Sequence, residues 1–455
     1  MLAPARPPTA LKNVGKILLF CFLFTTAVLA FSCIALSRDK ATMRQEIQAN
    51  FANGALLAAP YIGADVRRGW YLVNDCFILS TLVNGTGPVL ADVVNSTVLS
   101  GVTAGPCQNL QDAAAGTVPA APYSYSRYFW GAKAFAGPAL AWASLDTTKS
   151  WLRLAVYGTL LLAAGLAAAG LARGGAKSRG LHVTVLIAVA CLLTLYDLKY
   201  FAVTLAHGFS ELVLAFFLLH AAVAPPEPAS DAIPLRYVVL GCFTAWFELL
   251  TGPMVMAIGL AMLVENAAAS GPGAVRRSVR AGAVTAFSIV ACLLFLQLFV
   301  LIAGDASTVV QFFYHVALRM QLHHWLQIPV EAEWQSAENL RSYTTVDVYR
   351  SVVNALPRLT GGSAGLAHFI FGASVAGLGL ALAAAWRKQA GVRDVLAYVL
   401  VALFLALWYV IFANHTVIHA WGMVRVSVLL PMCAAIAMIR ALAPAPWWSS
   451  RSQGV

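Results

Sequence analysis

Residues Ile17–Leu36, ILLFCFLFTTAVLAFSCIAL, contain no charged side chain, and Arg6, Lys12 and Lys16 precede them. A helix of that length rises about 30 Å, which matches the hydrocarbon thickness of a bilayer. A cleaved signal peptide has a shorter apolar core and a small-residue cleavage site, so this run is expected to remain as an anchor. Nine more apolar runs lie near 151–172, 181–196, 202–223, 235–250, 253–266, 281–303, 365–385, 394–412 and 421–442. Together they predict an all-α, polytopic transmembrane helical bundle of about ten spans.

Composition agrees: 60% of the 455 residues are apolar and only 11% are charged. That balance excludes a soluble domain. In a soluble chain a net charge of +11 would suggest nucleic acid, but here Lys and Arg gather in the connections between apolar runs. No nucleic-acid partner is expected; the basic residues read as topology determinants and contacts for acidic lipid head groups.

Arg173, Lys177 and Arg179 separate spans two and three, Arg276, Arg277 and Arg280 separate six and seven, and Arg387, Lys388 and Arg393 separate eight and nine. All these clusters, with Arg440 and the basic N-terminus, fall inside if both termini are cytoplasmic. Spans five and six are shorter than the ~17 residues an ordinary span needs and meet at Thr251-Gly252-Pro253. They read as a short pair or a re-entrant hairpin.

The expected organisation is a cytoplasmic start and first span (1–36), an external segment (37–150), spans two to seven (151–303), a second external segment (304–364), and three last spans with a cytoplasmic end (365–455). Mixed stretches with Trp70, Tyr71, Tyr123, Tyr125, Tyr128, Phe129 and Trp130 suggest that 37–150 forms interfacial helices. Those aromatics fit either anchoring in the head-group belt or carbohydrate stacking. Cys76 and Cys107 are the two cysteines of this segment, and an oxidising compartment would allow them to bridge.

The topology brings most intramembrane and boundary ionisable residues to the outer side. Asp75 sits in an apolar run that would raise its pKa and suit a general base, although a helix cap or a solvated aspartate reads equally simply. Asp197, Lys199, His207 and Glu211 fall within fifteen residues between two spans. His207 and Glu211, four apart, share a helical face, so an Asp197–Lys199 or His207–Glu211 pair is the structural reading and a polar cavity the functional one. Glu248 precedes the Gly252-Pro253 break and either locks a helix or contributes to an acceptor or metal site. His315, Arg319, His323, His324, Trp325, Glu331, Glu333 and Trp334 read as a solvated or interfacial helix, since adjacent histidines point to different faces.

The sharpest local signal runs from Asn414 to Arg425, NHTVIHAWGMVR. His415 and His419 are one helical turn apart and Arg425 lies deeper in the last span, where a guanidinium requires an anion. A lipid phosphate suits Arg425, His419 and His415, because the guanidinium presents a bidentate fork. An internal salt bridge to Glu248 or Asp75 is the alternative. Two histidines without a third ligand do not make a metal site, so no metal or other cofactor is expected.

Four patches resemble a group of bacterial polytopic membrane proteins that is in turn similar to the GT-C superfamily of lipid-phosphosugar-dependent glycosyltransferases. They are Asn74-Asp75-Cys76-Phe77-Ile78-Leu79, Tyr125-Ser126-Arg127-Tyr128-Phe129-Trp130-Gly131, Phe247-Glu248-Leu249-Leu250-Thr251-Gly252-Pro253, and Asn414 through Arg425. The chain departs from that pattern at Asn74, Phe129-Trp130 and Gly137-Pro138, and conservatively at Glu248. The resemblance implies Asp75 as catalytic base and Arg425, His419 and His415 as ligands of the donor phosphate. Glu248, Asp197, Lys199, His207, Glu211, Arg127 and Trp130 would then contact substrate.

The implied function is transfer of a sugar from a polyprenyl-phosphate donor to a glycan, lipid or protein acceptor outside a bacterial inner or plasma membrane. A transporter or flippase of lipid-linked sugars is the second reading, since such proteins place polar groups on broken helices. A structural subunit of an envelope-assembly complex is the third.

Overall fold

The computed structural model describes residues 9–36, 40–58, 66–83, 89–94, 96–99, 105–117, 122–124, 131–173, 176–225, 235–247, 252–268, 273–322, 341–388 and 392–442. In chain order the first elements are α1 (Thr9–Leu36), α2 (Lys40–Ala52), α3 (Val66–Val83), α4 (Val89–Val94), β1 (Thr97–Leu99), α5 (Pro106–Ala114), β2 (Pro122–Ser124) and α6 (Gly131–Leu140). There follow α7 (Leu145–Ala172), α8 (Ala176–Leu195), α9 (Leu198–Phe201), α10 (Leu205–Val223), α11 (Leu235–Phe247), α12 (Pro253–Ala268), α13 (Ala274–Ile302) and α14 (Ala306–Arg319). The last are α15 (Thr345–Ala355), α16 (Ala364–Arg387), α17 (Val392–Ile411), α18 (Ala413–Ile418), α19 (Ala420–Met423) and α20 (Leu429–Leu442).

The fold is an all-α polytopic bundle. Among the described residues eight helical stretches are long and apolar enough to cross a membrane, which makes this an integral membrane protein. Eight of the ten expected runs thus correspond to such helices. The other two are α11 and α12, of 13 and 16 residues. The segment after the first span is not wholly helical: β1 and β2 pair antiparallel, Thr97 opposite Ser124. Three-residue strands carry too little alternation to stand out in sequence.

The chain divides into two compact units. The first comprises 1–148, 229–247 and 283–308; the second comprises 149–228, 248–282 and 309–455. In the first, α1 buries Ile17, Cys21, Val28, Leu29, Ser32 and Ala35 along one stripe while Leu19, Leu23 and Ile34 are exposed. The three-to-four spacing makes the stripe, and apolar residues on the opposite face are what a lipid-facing surface requires. Trp246 of α11 meets Phe24, Phe31 and Phe135 edge-on or tilted. A Cβ at Gly241 would come within 2.5 Å of the Thr285 carbonyl oxygen, so α11 approaches α13 as closely as it does only because that side chain is absent.

Cys76 on α3 and Cys107 on α5 form a disulfide with their Cα atoms 5.1 Å apart. It closes a loop with a sequence separation of 31. In the chain-entropy account that stabilises the segment by about 3–4 kcal/mol. Lys133 of α6 is fully buried and donates to the Val93 carbonyl at 2.9 Å, the Asp92 carbonyl at 3.3 Å and Ser96 Oγ at 2.5 Å. Its ammonium therefore caps the exposed carbonyl end of α4.

In the second unit α12 is the core. Every residue from Pro253 to Ala267 is buried, as expected for a helix that is apolar all round. It packs against α8 and α17, and α20 packs against α16. Polar groups near the ends of these helices pair among themselves. Arg440 bonds Asp394 at 2.7 Å, Asn266 donates to the Asp394 carbonyl at 3.1 Å, and Ser278 donates to the Met262 carbonyl at 2.9 Å.

Burial pushes the Lys133 ammonium down to about 7, against an opposing pull from Asp92. An amine with a lower pKa folded than unfolded binds fewer protons in the folded chain between those two values, so stability rises with pH over that window. The thermal midpoint of the detergent-solubilised protein should therefore gain from Lys133 between pH 7 and pH 9, and Lys133→Met should remove that gain. Equal pH slopes in the two proteins would refute the assignment.

Candidate functional site

α10 carries His207 and Glu211 one turn apart, and both are buried within the second unit. The anion requirement of Arg425 is met here: its Nη1 lies 2.5 Å from Glu211 Oε1, with both side chains at or below 1% exposure. The sequence offers Glu248 or Asp75 as that partner and pairs His207 with Glu211; Glu248 lies outside the described residues. Glu211 faces Arg425 because α10 and the last span pack in one unit, a proximity of residues 214 positions apart that spacing along the chain does not show.

An aromatic box completes the surroundings. The Arg425 guanidinium carbon stands 3.7 Å from the Phe201 ring centroid and 5.1 Å from that of Tyr196. His207 meets Phe201 edge-on at 5.2 Å. Cation–π contacts of this kind contribute up to about 2 kcal/mol when desolvated. Asp197 sets the box: its backbone is left-handed, φ 59° and ψ 31°, and turns the chain between Tyr196 and the one-turn helix α9. Asp is among the few residues that accept that conformation. Lys199, by contrast, is exposed, its ammonium 4.8 Å from the Tyr200 ring.

Backbone also lies close to the guanidinium. Gly252 has φ 146°, and a Cβ there would stand 2.8 Å from Arg425 Nε and 3.0 Å from Val426 Cγ1. The Gly252-Pro253 pair thus gives α12 a proline start and lets main chain lie against the guanidinium. Glu248, next to this turn, lies outside the described residues, as do Arg127, Trp130, His323, His324, Trp325, Glu331, Glu333 and Trp334.

The last span is interrupted. α18 ends at Ile418, α19 lasts one turn, and Val424–Val428 is a 3-10 helix before α20 begins. Pro431 has no N–H to give the Ser427 carbonyl, which discourages a continuous α-helix there. Tyr409 of α17 supports the break: its hydroxyl donates to the Met423 carbonyl at 3.2 Å and lies 2.8 Å from Ser427 Oγ.

At the start of this interrupted span is a second polar cluster. His415 and His419 do share a helical turn, with the His419 N–H bonded to the His415 carbonyl at 2.9 Å and ring centroids 4.6 Å apart. His415 is buried and His419 half-buried. Arg319 of α14 donates from Nη1 to Asn414 Oδ1 at 3.0 Å. Arg319 and His315 are buried, so of the solvated or interfacial helix that the sequence predicts, the solvated form does not hold for α14. Their four-residue spacing was the available signal, and a buried acceptor supplied by Asn414 is what permits Arg319 to be inside. Among the described residues, no third His, Cys, Asp or Glu joins His415 and His419 as a metal-binding group.

In the first unit Asp75 is fully buried midway along α3, next to the Cys76–Cys107 bridge. It is neither a helix cap nor a solvated aspartate. The aromatic side chains from Trp70 to Trp130 expected to line this segment lie outside the described residues. Compared with protein-family models, curated proteins and solved structures, the chain matches none of them.

Removing one partner of a buried ion pair costs about 3–5 kcal/mol because the other charge is left uncompensated. Glu211→Ala should lower the thermal midpoint sharply, and Glu211→Leu combined with Arg425→Met should recover most of the loss. Additive losses in the double variant would show that the two residues are not coupled. Gly252→Ala should also destabilise, since it imposes strain at φ 146° and crowds Arg425; an unchanged midpoint would exclude that geometry.

Proposed function

We propose that this protein is a membrane glycosyltransferase that moves a sugar from a polyprenyl-phosphate donor to a glycan, lipid or protein acceptor outside the cytoplasm. The observation that carries the reading is the cluster at the start of the last span. Arg319, Asn414, His415 and His419 gather cationic, amide and imidazole groups where an apolar span is interrupted. A lipid-linked phosphate needs that combination, donors for its oxygens beside apolar surface for its tail.

In this reading His419, His415 and Arg319 face the donor phosphate. Arg425, already engaged by Glu211, holds the interrupted span in place and adds positive potential. The acceptor hydroxyl attacks the anomeric carbon as the bond from that carbon to the phosphate oxygen breaks. The phosphate leaves with the electron pair, and the acceptor proton goes to the base. Asp75 is proposed as that base from its motif and its buried place on α3. Tyr196, His207 and Asp197 act on Arg425 or its surroundings, and Lys199 remains an exposed candidate for substrate contact.

Two observations support the outward orientation: basic residues cluster in connections that are cytoplasmic if both termini are, and the Cys76–Cys107 bridge suits an oxidising compartment. A transporter of lipid-linked sugars is the second reading. It is favoured by the interrupted span and by Gly252 main chain lying against a buried cation, features that substrate-carrying helices also show.

Donor binding and turnover should be measured in nanodiscs with a panel of polyprenyl-phosphate sugars. Asp75→Asn should bind donor normally and lose about 100-fold or more in turnover. His419→Ala and Arg319→Gln should each weaken donor binding by about tenfold, equivalent to about 1.4 kcal/mol. A folded wild type that binds no donor would overturn the proposal, and movement of intact lipid-linked sugar across sealed vesicles without cleavage would establish the transporter.

A further inference from the structure

Three helices of the first unit bring a thiol each to one point in its interior. Cys21 of α1 lies with its sulfur 3.7 Å from that of Cys242 on α11, and Cys242 lies 3.5 Å from Cys292 on α13. All three ligand atoms fall within 4.8 Å of one another and all three residues are fully buried. Thr25, one turn beyond Cys21 on α1, is also fully buried. Residues so far apart in sequence meet only through packing, so no motif announces the group.

A buried cysteine in a membrane helix is ordinarily a small apolar filler. Three from three different helices, with their sulfurs converging, are a donor set. Thiolates about 2.3 Å from a shared metal stand about 4 Å apart, close to the spacing observed. The donors are all sulfur, which selects soft ions. Zinc in structural sites takes four ligands, and among the described residues no fourth Cys, His, Asp or Glu joins this group. Three sulfurs do satisfy a monovalent soft ion.

We propose that Cys21, Cys242 and Cys292 form a binding site for a soft monovalent metal ion, Cu(I), inside the helical bundle. Binding exchanges S–H bonds for Cu–S bonds, releases a proton for each thiolate formed and transfers no electron. The bound ion ties α1, α11 and α13 together, which would make the first unit's stability depend on copper. Nothing in this inference requires glycosyl transfer.

The test is titration of the purified, reduced, full-length protein in detergent with Cu(I) under competition from a Cu(I)-specific chelator, followed by X-ray absorption at the copper edge. The wild type should retain one Cu(I) with sulfur neighbours only, and its thermal midpoint should rise on loading. Cys242→Ser should lose the ion by about 100-fold in affinity, whereas Cys191→Ser and Cys433→Ser, at free thiols outside the cluster, should not. Absence of chelator-resistant copper in a folded wild type would overturn the proposal, as would nitrogen or oxygen neighbours in its spectrum. Equal copper retention in Cys242→Ser would do the same. The spectrum of the wild type decides the matter even if the variants fail to fold.

Discussion

A cation inside an apolar bundle has to find its anion inside the same bundle, and in the second unit that requirement falls on Arg425 and Glu211. Desolvating either alone would cost several kcal/mol, so the two helices that carry them cannot pack in any register that parts them. The neighbouring arrangement follows from accommodating the pair. The left-handed turn at Asp197 brings Tyr196 and Phe201 against the guanidinium, and a glycine at 252 lets main chain approach it. The last span departs from α-helical geometry where Arg425 sits, and Tyr409 bonds the Met423 carbonyl there.

The same economy governs the rest of the molecule. Backbone groups released at a helix break or end must be satisfied by side chains when water is excluded. Lys133 does this for the end of α4. Arg319 is inside because Asn414 accepts from it, and Arg440 because Asp394 does. Each of these three buried cations therefore has a structural reason before it has a functional one. The cluster from Arg319 to His419 differs in one respect: it combines buried donors with a half-buried imidazole.

The spans were legible because length and apolarity suffice to define them, and the eight long helices fall on the runs expected. The short α11 and α12 were legible as short, from the Gly252-Pro253 break. The bridge between Cys76 and Cys107 was an open choice in sequence, since two cysteines in one external segment permit a bond without requiring it. The β-ribbon left no such trace.

Sequence by itself determined that this chain resides in a membrane, roughly where its apolar spans lie, and which residues were costly enough there to need a reason. It did so because hydrophobic length and the price of a charge are local properties. Only the tertiary structure decided which residue answers which: Glu211 for Arg425, Asn414 for Arg319, and Cys21, Cys242 and Cys292 for one another. Those pairings join positions 50 to 271 residues apart. Packing, not spacing, sets such distances, because helices of similar apolarity can neighbour one another in many orders until their buried polar groups select one.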